Sequence, residues 1–387
     1  MVITPKVRGF ICTTAHPKGC RENVKNQIAY VKDKGQFRGA KNVLIIGCST
    51  GYGLASRISL AYGANANTLG VMFEKESTAK RTATAGYYNT KYFEEFATKD
   101  GLYAKTINGD AFSKEVKNEV IENIKKDLGK IDLVIYSLAA PKRVDEDGKV
   151  YSSTLKTTDK DFTNKTLDLR DITIKEATVE VADKYEIEST IKVMGGEDWL
   201  LWLKALKNAD VLSNDAKTIA YSYIGPELTY PIYYNGTIGM AKKHLCETCY
   251  KINNEFKDLD VKAYISVNKA LVTAASAAIP IVPLYISILY KVMKESNLHE
   301  GCIEQMYRLY NDKFINSIPS VNDETLIRLD DYEMKEEIQN KVIDNYSIIN
   351  TENVNKYADI DGYFEDFYNM FGFNISGIDY DEDIIEF

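Results

Sequence analysis

Residues 45 to 53 read IIGCSTGYG, and the fold turns on what this stretch is for. Gly47-Cys48-Ser49-Thr50-Gly51 matches the G-x-S-x-G pattern that exposes a serine nucleophile on a strand-to-helix turn. Gly47, Gly51 and Gly53 also form a glycine-rich turn able to seat a dinucleotide pyrophosphate. In the first reading Ser49 attacks a substrate. In the second the loop cradles a cofactor.

The flanking residues separate the two readings. Lys41 to Gly47 (KNVLIIG) is a short apolar, β-branched run between polar residues, the pattern of a strand buried on both faces. LASRISLAYG then places Leu54, Ile58 and Ala61 at helical spacing and stops at Gly63. A second strand follows in TLGVMFE (68 to 74) and a third in AKTINGDAF (104 to 112). After a charged helix around 113 to 128 comes a fourth in KIDLVIYSLAAP (130 to 141). Strands alternating with helices predict an α/β fold, a doubly wound parallel sheet of the Rossmann kind. In such a sheet ligands lie outside the carboxyl ends of the strands. The glycine loop, Glu74, Asp110 with Ala111, and Leu138 with Ala139 therefore converge on one edge.

Glu74 lies 23 residues beyond Gly51, the spacing of a carboxylate that hydrogen-bonds an adenosine ribose. The same charge repels a 2'-phosphate, which favours NADH over NADPH. A hydrolase would need a histidine placed after an acid late in the chain. Of the three histidines, His16 precedes Ser49, whereas His244 and His299 remain available. The hydrolase reading leaves Gly53 and Glu74 without a role, so the cofactor loop is preferred.

Composition sets the outer bounds. The 387 residues are 45% hydrophobic and 27% charged, which suits a globular chain with a large core. A formal net charge of -8 disfavours a nucleic-acid surface, which needs clustered cations. Six scattered cysteines (12, 20, 48, 246, 249, 302) and an N-terminus that carries Lys6 and Arg8 before any apolar run point to reduced thiols in a cytoplasm. Ala270 to Tyr290 holds no charge and is long enough to span a bilayer, yet Pro280 and Pro283 would break a spanning helix. A loop followed by a buried helix is expected there, with no stable membrane insertion.

A nicotinamide enzyme must also handle protons. Residues 219 to 245 hold five tyrosines and a lysine pair, and a tyrosine with a pKa near 10 works best beside a cation. Spacing alone does not choose the pair, since Tyr290 with Lys294 and Tyr250 with Lys257 also lie close in sequence. Tyr233 and Lys242 carry a geometric condition. At about 100° per residue, nine positions on one helix would put them on opposite faces. They converge only if Tyr233 precedes the helix, and Pro231 and Gly236 allow a helix that starts near Thr237.

At this point the chain resembles the NADH-dependent trans-2-enoyl-CoA reductases and the related FabV-type enoyl-ACP reductases, an enlarged branch of the short-chain dehydrogenase/reductases. The resemblance is carried by GCSTGYGLASR (47 to 57), FE (73 to 74), GDAF (109 to 112), SLAAP (137 to 141), VMGGEDW (193 to 199), YSYIGPE (221 to 227), YYNGTIGMAK (233 to 242) and KALVTAAS (269 to 276). The N-terminal RGFICTTAHPKGC is also similar, so nearly the whole chain is covered. It implies NADH as cofactor and an enoyl thioester of CoA or acyl carrier protein as substrate. By the same resemblance Tyr233 is the catalytic acid, Lys242 the lysine that holds the nicotinamide ribose and tunes that tyrosine, and Tyr223 a substrate contact. Gly47, Cys48, Ser49, Thr50, Gly51, Tyr52, Phe73, Glu74, Asp110, Ala111, Leu138, Ala139, Leu271, Val272 and Thr273 match cofactor-contacting positions. Tyr234 and Lys243 share the spacing of Tyr233 and Lys242; the first pair is preferred because the family's lysine follows the alanine of G-x-A-K. Another carbonyl reductase with the same cofactor is the alternative.

The remaining features are read as structure. Cys246-x-x-Cys249 beside His244 has no second pair and is read as packing cysteines, with no metal expected. Trp199 and Trp202, at i and i+3, form a helix's core face. Residues 142 to 192 depart from the alternation, and TLDLRDITIKEATVEV reads as short strands of a small inserted lobe near the substrate. The chain is thus expected to be a single large domain over 1–387. Its dinucleotide-binding core would span 41–280 and a substrate-side helical extension 281–387. A monomer or weak oligomer is expected. Residues 357 to 387 hold nine acidic residues and no lysine or arginine, with interleaved aromatics, which reads as a docked C-terminal segment.

Overall fold

The computed structural model describes residues 2–9, 11–274, 276, 279–314 and 325–384. Its centre is a sheet of seven parallel strands: β1 Asn42–Ile46, β2 Asn67–Met72, β3 Ala104–Asn108, β4 Ile131–Tyr136, β5 Leu212–Ser222, β6 Lys262–Val267 and β7 Leu326–Arg328. Their spatial order is β3-β2-β1-β4-β5-β6-β7. The order reverses direction between β1 and β4. That reversal opens a crevice at the carboxyl ends, as expected of a doubly wound sheet.

Strand residues alternate between two cores because successive side chains point to opposite faces. Leu44 and Ile46 face one layer with Trp199, Trp202 and Leu245. Val43 and Ile45 face the other with Leu54, Ile58 and Phe93. Helices α1 Gly51–Gly63 and α2 Ala85–Lys99 cover the second face, and α3 Lys114–Asp127, α4 Glu197–Asn208 and α5 Thr237–Glu255 the first. The predicted core role of both tryptophans holds, since neither exposes measurable surface.

The segment without charges resolves as predicted. A loop follows β6, and α6 Val282–Glu295 begins with Pro283 in its first turn, where the missing N–H costs nothing. Nearly every residue of α6 is buried. Among the described residues no helix is long and apolar enough to cross a membrane. Ala275, within the KALVTAAS stretch, lies outside the described residues.

The departure at 142–192 takes the form of two hairpins, Lys142–Val144 with Val150–Ser152 and Phe162–Asp168 with Thr173–Val179, followed by a helix, Lys184–Met194, that the strand reading did not include. The acidic C-terminal segment is docked. Helices α7 Glu336–Ile348 and α8 Ile360–Asn369 pack on α6 through Ile338, Val342, Tyr363 and Phe367. Phe373 and Ile384 then join Ile3 and Cys12 in a small core of their own.

Candidate active site

The glycine loop has the geometry a pyrophosphate cradle requires. Gly47 and Gly51 hold φ of 86° and 52°, values that side-chain-bearing residues rarely adopt. A Cβ on Gly47 would sit 2.6 Å from the Ser137 carbonyl oxygen at the end of β4, and one on Gly53 would overlap the Gly47 carbonyl. The loop is therefore backbone pressed on backbone, leading into the N-terminus of α1, where free N–H groups and the helix dipole favour an anion. A Cβ on Gly51 would meet the Thr273 methyl group at 4.0 Å. Two sequence-distant positions expected to contact the cofactor are thereby brought together. These residues fit a dinucleotide.

Individual predicted contacts sort by where their side chains point. Ser49 Oγ donates to Glu74 Oε1 at 2.6 Å, so the serine orients the carboxylate. No histidine serves it: His16 caps a helix by accepting from the Gly19 N–H, His244 accepts from the Gly196 N–H, and His299 packs on Tyr290. The hydrolase reading ends there. Glu74 is further fixed by Asn108, which bonds both its N–H and its carbonyl. Phe73 beside it is 78% exposed. Asp110 accepts from the Phe112 N–H, and Ala111 is buried. Leu138 packs on the core next to an exposed Ala139, while Leu271 and Val272 are buried. Cys48 is also buried, with its sulfur turned to Arg57, so only its backbone can face a cofactor. Tyr52 likewise turns its hydroxyl to the Lys269 carbonyl at 2.6 Å.

Helix α5 starts at Thr237 after an N-cap at Gly236, so Tyr233 stands before the helix, as the spacing argument demanded. Its ring packs edge-on against Tyr223, with centroids 4.7 Å apart. Tyr234, by contrast, is 55% exposed, which supports choosing Tyr233 over its neighbour. Lys242 donates to the Tyr221 carbonyl at 2.9 Å. Burial lowers its pKa to about 8, with Cys246 opposing. For Tyr233, burial first and Glu333 second push the phenol up. The expected tuning of that phenol by Lys242 is thus absent from this arrangement. The ammonium is engaged on the β5 backbone, and Tyr233 is held as a protonated donor.

Two groups escaped the sequence reading. Lys117 on α3 donates to the Ala111 and Phe112 carbonyls and to Asp198 Oδ1 at 2.8 Å, which pins the loop after β3. Asp198 also accepts from Tyr136. Asp198 falls in the quoted VMGGEDW stretch, yet nothing local marks it as a buried partner. Glu333 is the second such group. Cys246 and Cys249 lie along α5, Cys249 in the core, and neither is in a disulfide.

Fold and site together define a dinucleotide-dependent oxidoreductase of the doubly wound type, with a tyrosine and a lysine at the carboxyl edge of the sheet. Comparison with known proteins narrows this. Residues 81–315 match the family model described as trans-2-enoyl-CoA reductase catalytic region, and residues 2–79 its NAD(P)H binding domain. The chain is 55% identical over 385 residues to the trans-2-enoyl-CoA reductase [NADH] of Clostridium perfringens, covering 99% of both chains. It is 54% identical to the enoyl-[acyl-carrier-protein] reductase [NADH] of Flavobacterium johnsoniae, covering 100% of this chain and 98% of that one. The solved trans-2-enoyl-CoA reductase of Treponema denticola in complex with NAD superposes with a TM-score of 0.96 at 46% identity, covering 99% of this chain and 98% of that one. The chain belongs to the trans-2-enoyl-CoA reductase family.

Residues 321–384 match a model described as enoyl reductase FAD binding domain. Within the described part of this segment the apolar faces of α7 and α8 pack on α6.

Proposed function

We propose that this chain uses NADH to reduce the trans-2 double bond of an enoyl thioester to the saturated acyl thioester. The observation that carries the proposal is the pairing of Tyr223 and Tyr233 in the segment after β5, at the same carboxyl edge of the sheet as the glycine loop after β1. NADH, when bound, supplies the hydride that adds to the β-carbon of the conjugated alkene. Negative charge then develops on the thioester oxygen, and a donor aimed at that oxygen stabilises it. Tyr233, kept protonated by burial, is assigned that role. Lys242 holds the nicotinamide ribose, and Glu74, set by Ser49 and Asn108, holds the adenosine ribose. The inserted hairpins and the extension from residue 281 are assigned to the substrate side. Six cysteines without a disulfide suit a cytoplasmic enzyme.

The test is NADH oxidation monitored with crotonyl-CoA, with crotonyl-acyl carrier protein, with NADPH in place of NADH, and with a simple ketone. Turnover of a crotonyl thioester with NADH is expected, weaker with NADPH because Glu74 opposes a 2'-phosphate. Activity confined to the ketone would establish the carbonyl-reductase alternative instead.

Phe73 offers a narrower check. An exposed aromatic next to the ribose carboxylate is placed to lie against an adenine, and such stacking contributes about 0.5–1.5 kcal/mol. Phe73→Ala is expected to raise the KM for NADH roughly 2- to 12-fold with kcat unchanged. A change in kcat of the same size would place Phe73 elsewhere in the cycle.

A further inference from the structure

Behind the tyrosine pair lies a buried carboxylate to which the reaction as described assigns nothing. Glu333 exposes no measurable surface. Its Oε1 accepts from Tyr223 at 3.0 Å and from Tyr285 at 2.6 Å, and its Oε2 accepts from the Ala270 N–H at 2.7 Å. Tyr223 comes from the segment after β5, Tyr285 from α6, and Ala270 from the loop that continues into Leu271, Val272 and Thr273. One carboxylate therefore ties the substrate-facing tyrosine to the start of the cofactor loop. Gln339 on α7 bonds the Glu333 carbonyl at 2.7 Å, so the residue itself is held.

The charged surroundings fit this role. The Glu333 pKa is raised, burial being the largest cause and Asp330 adding to it, while the field of the buried Lys269 ammonium, the Tyr285 O–H and the Ala270 N–H oppose the rise. Three donors converging on one carboxyl group, with a buried cation close by, offset part of the cost of burying it. The consequence is directional. A phenol has one proton to donate, and that of Tyr223 goes to Glu333. Tyr223 therefore turns a lone pair toward the crevice, and its edge-on neighbour Tyr233 is left as the group with a free proton.

We infer that Glu333 is a positioning residue. By taking the Tyr223 proton and the Ala270 N–H together, it sets the Tyr223 hydroxyl as an acceptor, leaves Tyr233 as the donor to the thioester oxygen, and fixes the cofactor loop against both. This rests on the enoyl thioester reading given above.

The chemistry of an amide makes the test specific. Glu333→Gln keeps the shape but has one acceptor oxygen: if that oxygen takes the tyrosine protons, the amide N–H₂ faces the Ala270 N–H, and if it turns round, it faces the tyrosines. In the first orientation the Ala270 N–H loses its acceptor; in the second the tyrosine oxygens accept from the amide and the Tyr223 proton is no longer taken up. The experiment is a double-mutant cycle on kcat with crotonyl-CoA, using Glu333→Gln, Tyr223→Phe and the pair, alongside Tyr285→Phe alone and with Tyr223→Phe.

Glu333→Gln is expected to lower kcat about tenfold in the native background, a loss of the order expected for a hydrogen bond to a charged group. In the Tyr223→Phe background it is expected to change kcat less than about twofold. Tyr285→Phe, which loosens the same carboxylate, follows the same pattern with a smaller loss and keeps the question open to measurement if Glu333→Gln does not fold. Multiplicative losses in these cycles would make Glu333 a packing element only and overturn the inference. Absence of crotonyl-CoA turnover in the native enzyme would instead strike the enoyl thioester reading itself, so the two failures are distinguishable.

Discussion

Tyr233→Phe is expected to lower kcat for crotonyl-CoA by about 100- to 10,000-fold, the range for loss of a positioned general acid, while NADH binding stays within a factor of about two of native. The separation follows from where the hydroxyl lies. The Tyr233 ring packs beside Tyr223, on the side proposed for the substrate, and removal of the hydroxyl deletes one oxygen without changing the ring that packs at 4.7 Å. The loss appears in kcat because the charge on the thioester oxygen exists only as hydride is transferred; a donor to that oxygen acts more strongly on the transition state than on the bound substrate. Burial pushes the phenol up from its ordinary value near 10, so Tyr233 stays protonated across the neutral range and contributes no ionisation of its own to the pH profile there. Single-turnover mixing of the enzyme–NADH complex with crotonyl-CoA reads the step directly. Near-native turnover in the variant would remove Tyr233 from the mechanism.

The parts legible in the sequence were those whose signal is local. Strands β1 to β4 each join a short apolar run to a distinctive polar end, and the glycine loop needs left-handed backbone that few residues other than glycine adopt. Glu74 was singled out by its distance from Gly51, and the placement of Tyr233 before the helix by asking where a helix could begin. Strands β5 to β7 were not resolved. β5 begins in the polar LSNDAK and shifts register between Leu212 and Lys217, and β7 has three residues. Such short or interrupted runs carry little period-two pattern. Glu333 was invisible for a different reason. It sits in DDYEMKEE, where Asp331, Lys335, Glu336 and Glu337 retain solvent exposure and Glu333 alone among the acids after Asp330 is buried. Its role is set by Tyr223, 110 residues earlier. A related limit applies to Lys242: residue type predicts a cation near a phenol, but the carbonyl of Tyr221, offered by the end of β5, is what the ammonium meets here.

Lys242→Met is expected to weaken NADH binding about 10- to 150-fold, the equivalent of one or two hydrogen bonds to a charged group, and to abolish a pH dependence that the native enzyme shows. In the free enzyme the buried ammonium titrates near 8, below its ordinary value near 10.5, because desolvation disfavours the charge. Two consequences have opposite signs. For binding, the charge proposed to hold the ribose is present below about pH 8 and lost above it, so native NADH affinity is expected to fall as pH rises through about 8. For folding, a native pKa below the unfolded one means that between about pH 8 and 10.5 the unfolded chain holds the extra proton, and the Lys242 contribution to stability rises with pH across that window. Methionine matches the stem of lysine and carries no charge, so both pH dependences should flatten in the variant while the helix keeps its packing. Fluorescence titration of NADH at pH 6.5 and 9.5, with denaturant melts at the same values, separates them. An NADH affinity that falls equally steeply in Lys242→Met would assign the titration to another group and leave Lys242 as a bolt between α5 and β5.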